Sequence, residues 1–130
     1  MENEPSQNAA PGKVFVTGAS GFIGRALCDR YRALHTDVAG VDIHADPQRG
    51  VVAGDLTRPD SWRQAMEGAE LVIHTAAVVS NTAAMDAAWP VNVRATADLL
   101  ALCADVGVRQ FIHLSSVAAY GFDFTETACE

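Results

Sequence analysis

Apolar positions along the chain change period in a regular way. The run KVFVT (Lys13 to Thr17) is short, rich in β-formers and ends at a glycine. GFIGRALCDRYRAL then repeats apolar residues at Phe22, Ala26 and Leu27, Tyr31 and Leu34, which predicts an amphipathic helix after a glycine-rich turn. DVAGVDI and GVVAGDL read as a second and a third strand, and RPDSWRQAMEG as a short helix with Pro59 near its first turn. AELVIHTAAVV supplies a fourth strand and the loop after it. VNVRATADLLALCADVG is the longest helix, with Val93, Thr96 or Ala97, Leu100, Cys103 and Ala104 on one stripe and Gly107 as its stop. RQFIHLSS closes the series as a fifth strand.

Strands that alternate with helices and are continuously apolar belong in a parallel sheet covered on both faces. The fold class is therefore α/β, a doubly wound sheet of order 3-2-1-4-5, with its switch point above strands one and four. Ligands of such sheets bind at the carboxyl ends of the strands, where TGASGFIG, VDI, GDL, HTAA and LSS all fall. One domain is expected over residues 13–121, flanked by a flexible tail over 1–12 and a polar tail over 122–130.

Composition narrows the partners. With 9 Lys plus Arg against 16 Asp plus Glu, the formal net charge is -7, which disfavours nucleic acid and an anionic membrane surface. The longest nearly apolar stretch, Leu71 to Val79, is too short to span a bilayer and contains a histidine. The opening MENEPSQNAAPG has neither the basic segment nor the apolar core of a secretory signal. Cys28, Cys103 and Cys129 form no CxxC pair and are odd in number, so the expected compartment is reducing, the cytoplasm. His35, His44, His74 and His113 lack metal-ligand spacing, and no metal is expected.

Candidate chemistry gathers at the strand ends. Gly18, Gly21 and Gly24 permit a tight turn, close approach of backbone to a pyrophosphate, and close packing of helix on sheet. The N–H groups of Gly21, Phe22 and Ile23 would face phosphate at the positive end of the helix. Asp42 ends the second strand, where a carboxylate accepts hydrogen bonds from an adenosine ribose diol and repels a 2′-phosphate, favouring NAD over NADP. Arg25 could still approach such a phosphate, which leaves the preference between NAD and NADP open. Asp55 and Leu56 suit the edge and face of an adenine, although Asp55 could equally be a turn or capping aspartate. His74, inside an apolar strand, reads as a structural residue rather than a catalyst, whereas small Ala76 and Ala77 let a cofactor lie against the backbone. Ser115 and Ser116 end the fifth strand, where a hydroxyl can orient a carbonyl or an alcohol.

TGASGFIG, VD, GDL, HTAA, VNVRATADLL and LSSVAAYG, in this order and spacing, resemble the extended short-chain dehydrogenases/reductases, the NAD-dependent epimerase/dehydratase family. The resemblance runs from Lys13 to Gly121 and implies a Rossmann-like domain. It assigns the pyrophosphate to Gly18, Gly21, Phe22, Ile23 and Gly24, the adenosine ribose to Asp42, and the adenine to Asp55 and Leu56. It also places Ala76, Ala77 and Val78 beside the phosphates and ribose, matches Asn92 to the family's Asn near the start of the long helix, and matches Ser116 to the catalytic serine. Ala95 stands where glycine is common and Asp98 where asparagine is common.

The family's Tyr-x-x-x-Lys pair, in which lysine and the oxidised nicotinamide lower the tyrosine pKa for proton transfer, is a larger departure. The chain has two tyrosines, Tyr31 and Tyr120; His35 and Phe124 lie four residues after them, and Lys13 is the single lysine. By the resemblance the catalytic tyrosine lies beyond Glu130, so the expectation is the N-terminal portion of a longer protein, truncated after the fifth strand. Two functions follow. One is hydride transfer between NAD and a carbinol or ketone carbon of a sugar nucleotide or sterol-like substrate in the complete protein; the other is a non-catalytic dinucleotide-binding module. A fifth strand at the sheet edge and an uncovered helix stripe would favour self-association, so a homo-oligomer is a possible partner state.

Overall fold

Residues 9–79 and 85–120 are described by the structure, a computed structural model. The expected tail over 1–12 falls mostly outside them, and the tail over 122–130, with Cys129, falls wholly outside. Five parallel strands form one sheet in the order β3-β2-β1-β4-β5: β1 Lys13–Thr17, β2 Asp37–Asp42, β3 Val51–Ala53, β4 Leu71–His74 and β5 Gln110–His113. The order 3-2-1-4-5 expected from the sequence is the one observed. Helix α1, Phe22–Ala33, joins β1 to β2. Between β3 and β4 the predicted helix is a 3-10 turn, Pro59–Ser61, followed by a single α-turn, α2, Arg63–Met66.

The side chains of β1 alternate between the two layers, as strand geometry requires. Val14 and Val16 face Cys28, Leu27 and Tyr31 of α1, together with Val38, Val51, Leu71 and Ile73. Phe15 faces the other layer, Trp62, Met66, Val72, Leu99 and Cys103. Both layers exclude water because β1 and β4 are buried throughout, apart from the half-exposed first residue Lys13.

The long helix differs from its sequence expectation in its start and its face. It begins with α3, Met85–Trp89, passes through a π-helical turn, Pro90–Arg94, and continues as α4, Ala95–Asp105. Thr96 directs its hydroxyl to the carbonyl of Asn92 at 2.9 Å, a back-bond that opens the local helical ladder. The buried line of α4 is Ala95, Leu99 and Cys103, whereas Val93 and Leu100 of the predicted stripe are 44% and 47% exposed. In α1 the same shift occurs: Gly24, Leu27, Cys28 and Tyr31 face the sheet, and Phe22, Ala26 and Leu34 are exposed. The close approach at Gly24 sets the rotation of α1, because the residue without a side chain must be the one nearest the strand. Gly107, at φ +78°, ends α4 as expected.

Candidate functional site

A cleft of about 960 Å3 opens at the carboxyl ends of the strands, a size suited to a cofactor. Its first wall is the turn from β1 into α1. Gly18 has φ +66°, and a Cβ there would lie 2.8 Å from Thr75 Oγ1 and 2.9 Å from Ala76 Cα, so only glycine fits. A Cβ on Gly24 would collide with the carbonyl oxygen of Gly18, which explains how the helix start comes so near the strand. The Gly21 N–H is spent inside the turn, on Gly18 O at 3.0 Å, and so does not face the cleft as the sequence suggested. The first helical bond is Arg25 N–H to Gly21 O at 2.9 Å, which leaves the N–H groups of Phe22, Ile23 and Gly24 without helical partners. No side chain caps this end and no acidic residue occupies its first turn. These donors have no partner among the described residues, and with the positive end of the helix dipole they border the cleft.

The second wall comes from β2 and β3. The Asp42 carboxylate accepts hydrogen bonds from the N–H groups of Ser20 at 3.0 Å and Ile43 at 2.7 Å. Ser20 also donates its hydroxyl to His44 O at 3.0 Å, so the glycine turn and the tip of β2 form one unit. Arg25 donates to Ser20 O at 3.1 Å. Asp55 is at once a turn residue and a cleft residue: it accepts from the hydroxyl of Thr57 at 2.7 Å and its N–H at 2.9 Å, which hold its carboxyl below the ordinary range. Trp62 is buried beneath it, stacked on Phe15 with ring centroids 5.9 Å apart, and donates Nε1–H to Asp55 O at 2.9 Å. Leu56 lines the cleft beside Asp55, and Ile43, 78% exposed, faces it from the tip of β2.

Ala76, Ala77 and Val78, after β4, complete the floor. Asn92 does not line the cleft: its side-chain amide clasps the backbone of Val78, accepting from the N–H at 2.7 Å and donating to the carbonyl at 3.0 Å. Ser116 does not line it either, and its exposed hydroxyl accepts from Ala118 N–H at 3.2 Å in the turn Val117–Tyr120. Thus the cleft brings together Gly18, Gly21, Phe22, Ile23, Gly24, Asp42, Asp55, Leu56, Ala76, Ala77 and Val78, and it leaves Asn92 behind the floor and Ser116 beside it. Sequence reasoning missed Ser20, Ile43, Trp62 and Thr75. Only Ile43 left a signal, an apolar residue directly after a strand-end carboxylate. His74 is buried, with both ring nitrogens hydrogen-bonded, and burial with the nearby His113 pushes its pKa down to about 4.

The fold and this cleft define a doubly wound domain of the dinucleotide-binding kind. Residues 14–129 match the family model of the NAD dependent epimerase/dehydratase family, and the chain belongs to that family. It is 33% identical over 110 residues to a 2-alkyl-3-oxoalkanoate reductase of Shewanella oneidensis, covering 78% of this chain and 28% of that protein. A 3 beta-hydroxysteroid dehydrogenase/Delta 5-->4-isomerase of Mycobacterium tuberculosis is 32% identical over 117 residues, covering 81% of this chain and 32% of that protein. Among solved structures, MoeE5 in complex with UDP-glucuronic acid and NAD superposes with a TM-score of 0.76 at 31% identity, over 85% of this chain and 38% of MoeE5. The chain spans 28% and 32% of the length of those two curated relatives, about a third.

Proposed function

We propose that these residues bind NAD and form the nucleotide-binding part of an NAD-dependent epimerase/dehydratase or hydroxy-substrate dehydrogenase. The observation that carries this reading is the uncapped start of α1, whose free N–H groups of Phe22, Ile23 and Gly24 border the same cleft as the Asp42 carboxylate. The fit is chemical: a diphosphate needs donors without competing side-chain anions, and a ribose diol needs an acceptor. Phe22, Ile23 and Gly24 would hold the pyrophosphate in the turn that Gly18 and Gly21 shape, Asp42 the ribose, Asp55 and Leu56 the adenine, and Ala76, Ala77 and Val78 the inner flank. NADP is disfavoured because its 2′-phosphate would meet the Asp42 carboxylate at the tip of β2.

NAD supplies a hydride acceptor or donor, and Ser116 is the residue of this chain proposed to orient a substrate hydroxyl or carbonyl. The substrate is a small molecule with a carbinol or ketone carbon, and the named relatives span an oxoalkanoate, a hydroxysteroid and a sugar nucleotide. The second reading is a dinucleotide-binding module without turnover, and Lys13 is the single lysine of these 130 residues. It lies at the amino end of β1, away from the cleft, and donates to Glu67 O at 2.7 Å. Buried free thiols at Cys28 and Cys103 suit the cytoplasm. Among the described residues no helix is long and apolar enough to cross a membrane. Neither nucleic acid nor membrane is proposed as a partner. Exposed Val93 and Leu100 on the long helix support a homo-oligomer, which sedimentation of a strict monomer would refute.

The test is a melting curve with each nucleotide. Ligand at about a hundred times its Kd stabilises the folded state by about 2.7 kcal/mol, so NAD should raise the midpoint by several degrees and NADP by much less. Absence of any rise at millimolar NAD would overturn the reading.

A further inference from the structure

The end of β4 carries a continuous chain of hydrogen bonds for which nucleotide binding alone gives no reason. Thr17 Oγ1 lies 2.6 Å from His74 Nδ1, and His74 Nε2 lies 2.9 Å from Thr96 Oγ1. Proton counting fixes the direction. Thr96 donates its single hydroxyl proton to Asn92 O at 2.9 Å, so it must accept from His74, and Nε2 bears the hydrogen. Nδ1 then accepts from the Thr17 hydroxyl, whose oxygen accepts in turn from Ala76 N–H at 3.3 Å. At the far end the Asn92 side chain clasps Val78 at its N–H and its carbonyl. The hydrogen-bonded chain thus runs from Ala76 N–H on the cleft floor through Thr17 and His74 to Thr96 and the main-chain carbonyl of Asn92, and the side chain of that same Asn92 separately holds Val78.

We propose that neutral His74 is a positioning residue: it locks Thr17 and Thr96 in opposite hydrogen-bonding roles, and through them fixes the backbone of Ala76 to Val78 in the shape that receives the nucleotide. His74 is 1% exposed and cannot touch a ligand itself. A histidine suits the place because it accepts at one edge and donates at the other, across the gap between a strand and a helix. The π-helical turn Pro90–Arg94 belongs to the same device, since its Asn92 accepts from Thr96 at the main-chain carbonyl and holds Val78 with its side chain. The ligand arm of the inference rests on the NAD reading; the geometric arm does not.

The experiment measures amide hydrogen exchange at Ala76 and Val78 in ligand-free protein, and NAD affinity by titration calorimetry, for the native chain, His74→Phe, Thr96→Val and Thr96→Ser. Thr96→Val keeps the shape and breaks the relay at the helix; Thr96→Ser keeps the hydroxyl. The expected result is faster exchange at Ala76 and Val78 by about tenfold in His74→Phe and Thr96→Val, the scale of one lost buried hydrogen bond, with native rates in Thr96→Ser. Amides of Val16 and Val72, in the strand cores, should serve as unchanged references. NAD binding should weaken by about tenfold in the same two variants and recover in Thr96→Ser. Native exchange at Ala76 and Val78 in Thr96→Val would overturn the proposal, as would equal acceleration of the reference amides. If His74→Phe does not fold, the Thr96 pair alone decides. Failure of the native chain to bind NAD would overturn the nucleotide reading, while exchange still decides the positioning role.

Discussion

The two sides of the sheet's centre are built from different materials. On the side of β1 and β2 the cleft is made of backbone: a turn that only Gly18 permits, a helix start with free N–H groups, and a carboxylate, Asp42, braced by two more N–H groups. On the side of β4 it is made of side chains, with Thr17, His74, Thr96 and Asn92 holding a short floor in place. Each half is therefore vulnerable to a different change. A backbone wall fails when a Cβ is added, and a side-chain wall fails when a proton is added or a hydroxyl removed.

Trp62 offers the largest test, since it is a bulky buried side chain beneath Asp55 in the first half. Replacing Trp62 with Ala removes its stacking on Phe15 and its bond to Asp55 O, and should lower stability by about 3–5 kcal/mol in denaturant unfolding. A loss below about 1 kcal/mol would show that Asp55 is held by other means. Next comes Gly18→Ala, which combines φ +66° with contacts too close to Thr75 and Ala76, and should cost about 2–3 kcal/mol and the NAD response together. Retention of the NAD response in that variant would show that the nucleotide does not depend on the glycine turn.

The smallest expected effect is a pH dependence on the second half. His74 titrates near 4 when folded, chiefly through burial and secondarily through His113, whose ring lies 5.4 Å away. Unfolded, it titrates near ~6.5, so the unfolded chain binds the proton more readily. Its contribution is full above about pH 6.5 and is lost as pH falls toward 4, about 2 kcal/mol between pH 7 and pH 5. His74→Phe should remove this slope from urea unfolding measured at the two pH values, and a slope unchanged by the substitution would assign it to other groups.

The same division explains what could be read in the sequence. Strand order and the glycine turn were legible because they depend on local period and on residues with no side chain, such as Gly18 and Gly24. The faces of α1 and α4 were offset from the pattern. Rotation there follows from contacts at Gly24 and from the opened ladder at Asn92, which are tertiary facts. Asn92 was visible as a candidate but its partner, the backbone of Val78, was not, since 14 positions of chain separate them. Trp62 beneath Asp55 left no trace for the same reason, because a side chain's support across a turn has no period.

NAD binding at the cleft is proposed to depend on the start of α1 and the tip of β2. Titration calorimetry of NAD into the native chain and into Asp42→Ala tests it most directly. Saturable binding by the native chain, weakened about tenfold by Asp42→Ala, is the expected result for loss of a charged acceptor to the ribose. No binding to the native chain at millimolar NAD, or equal affinity in both proteins, would contradict it.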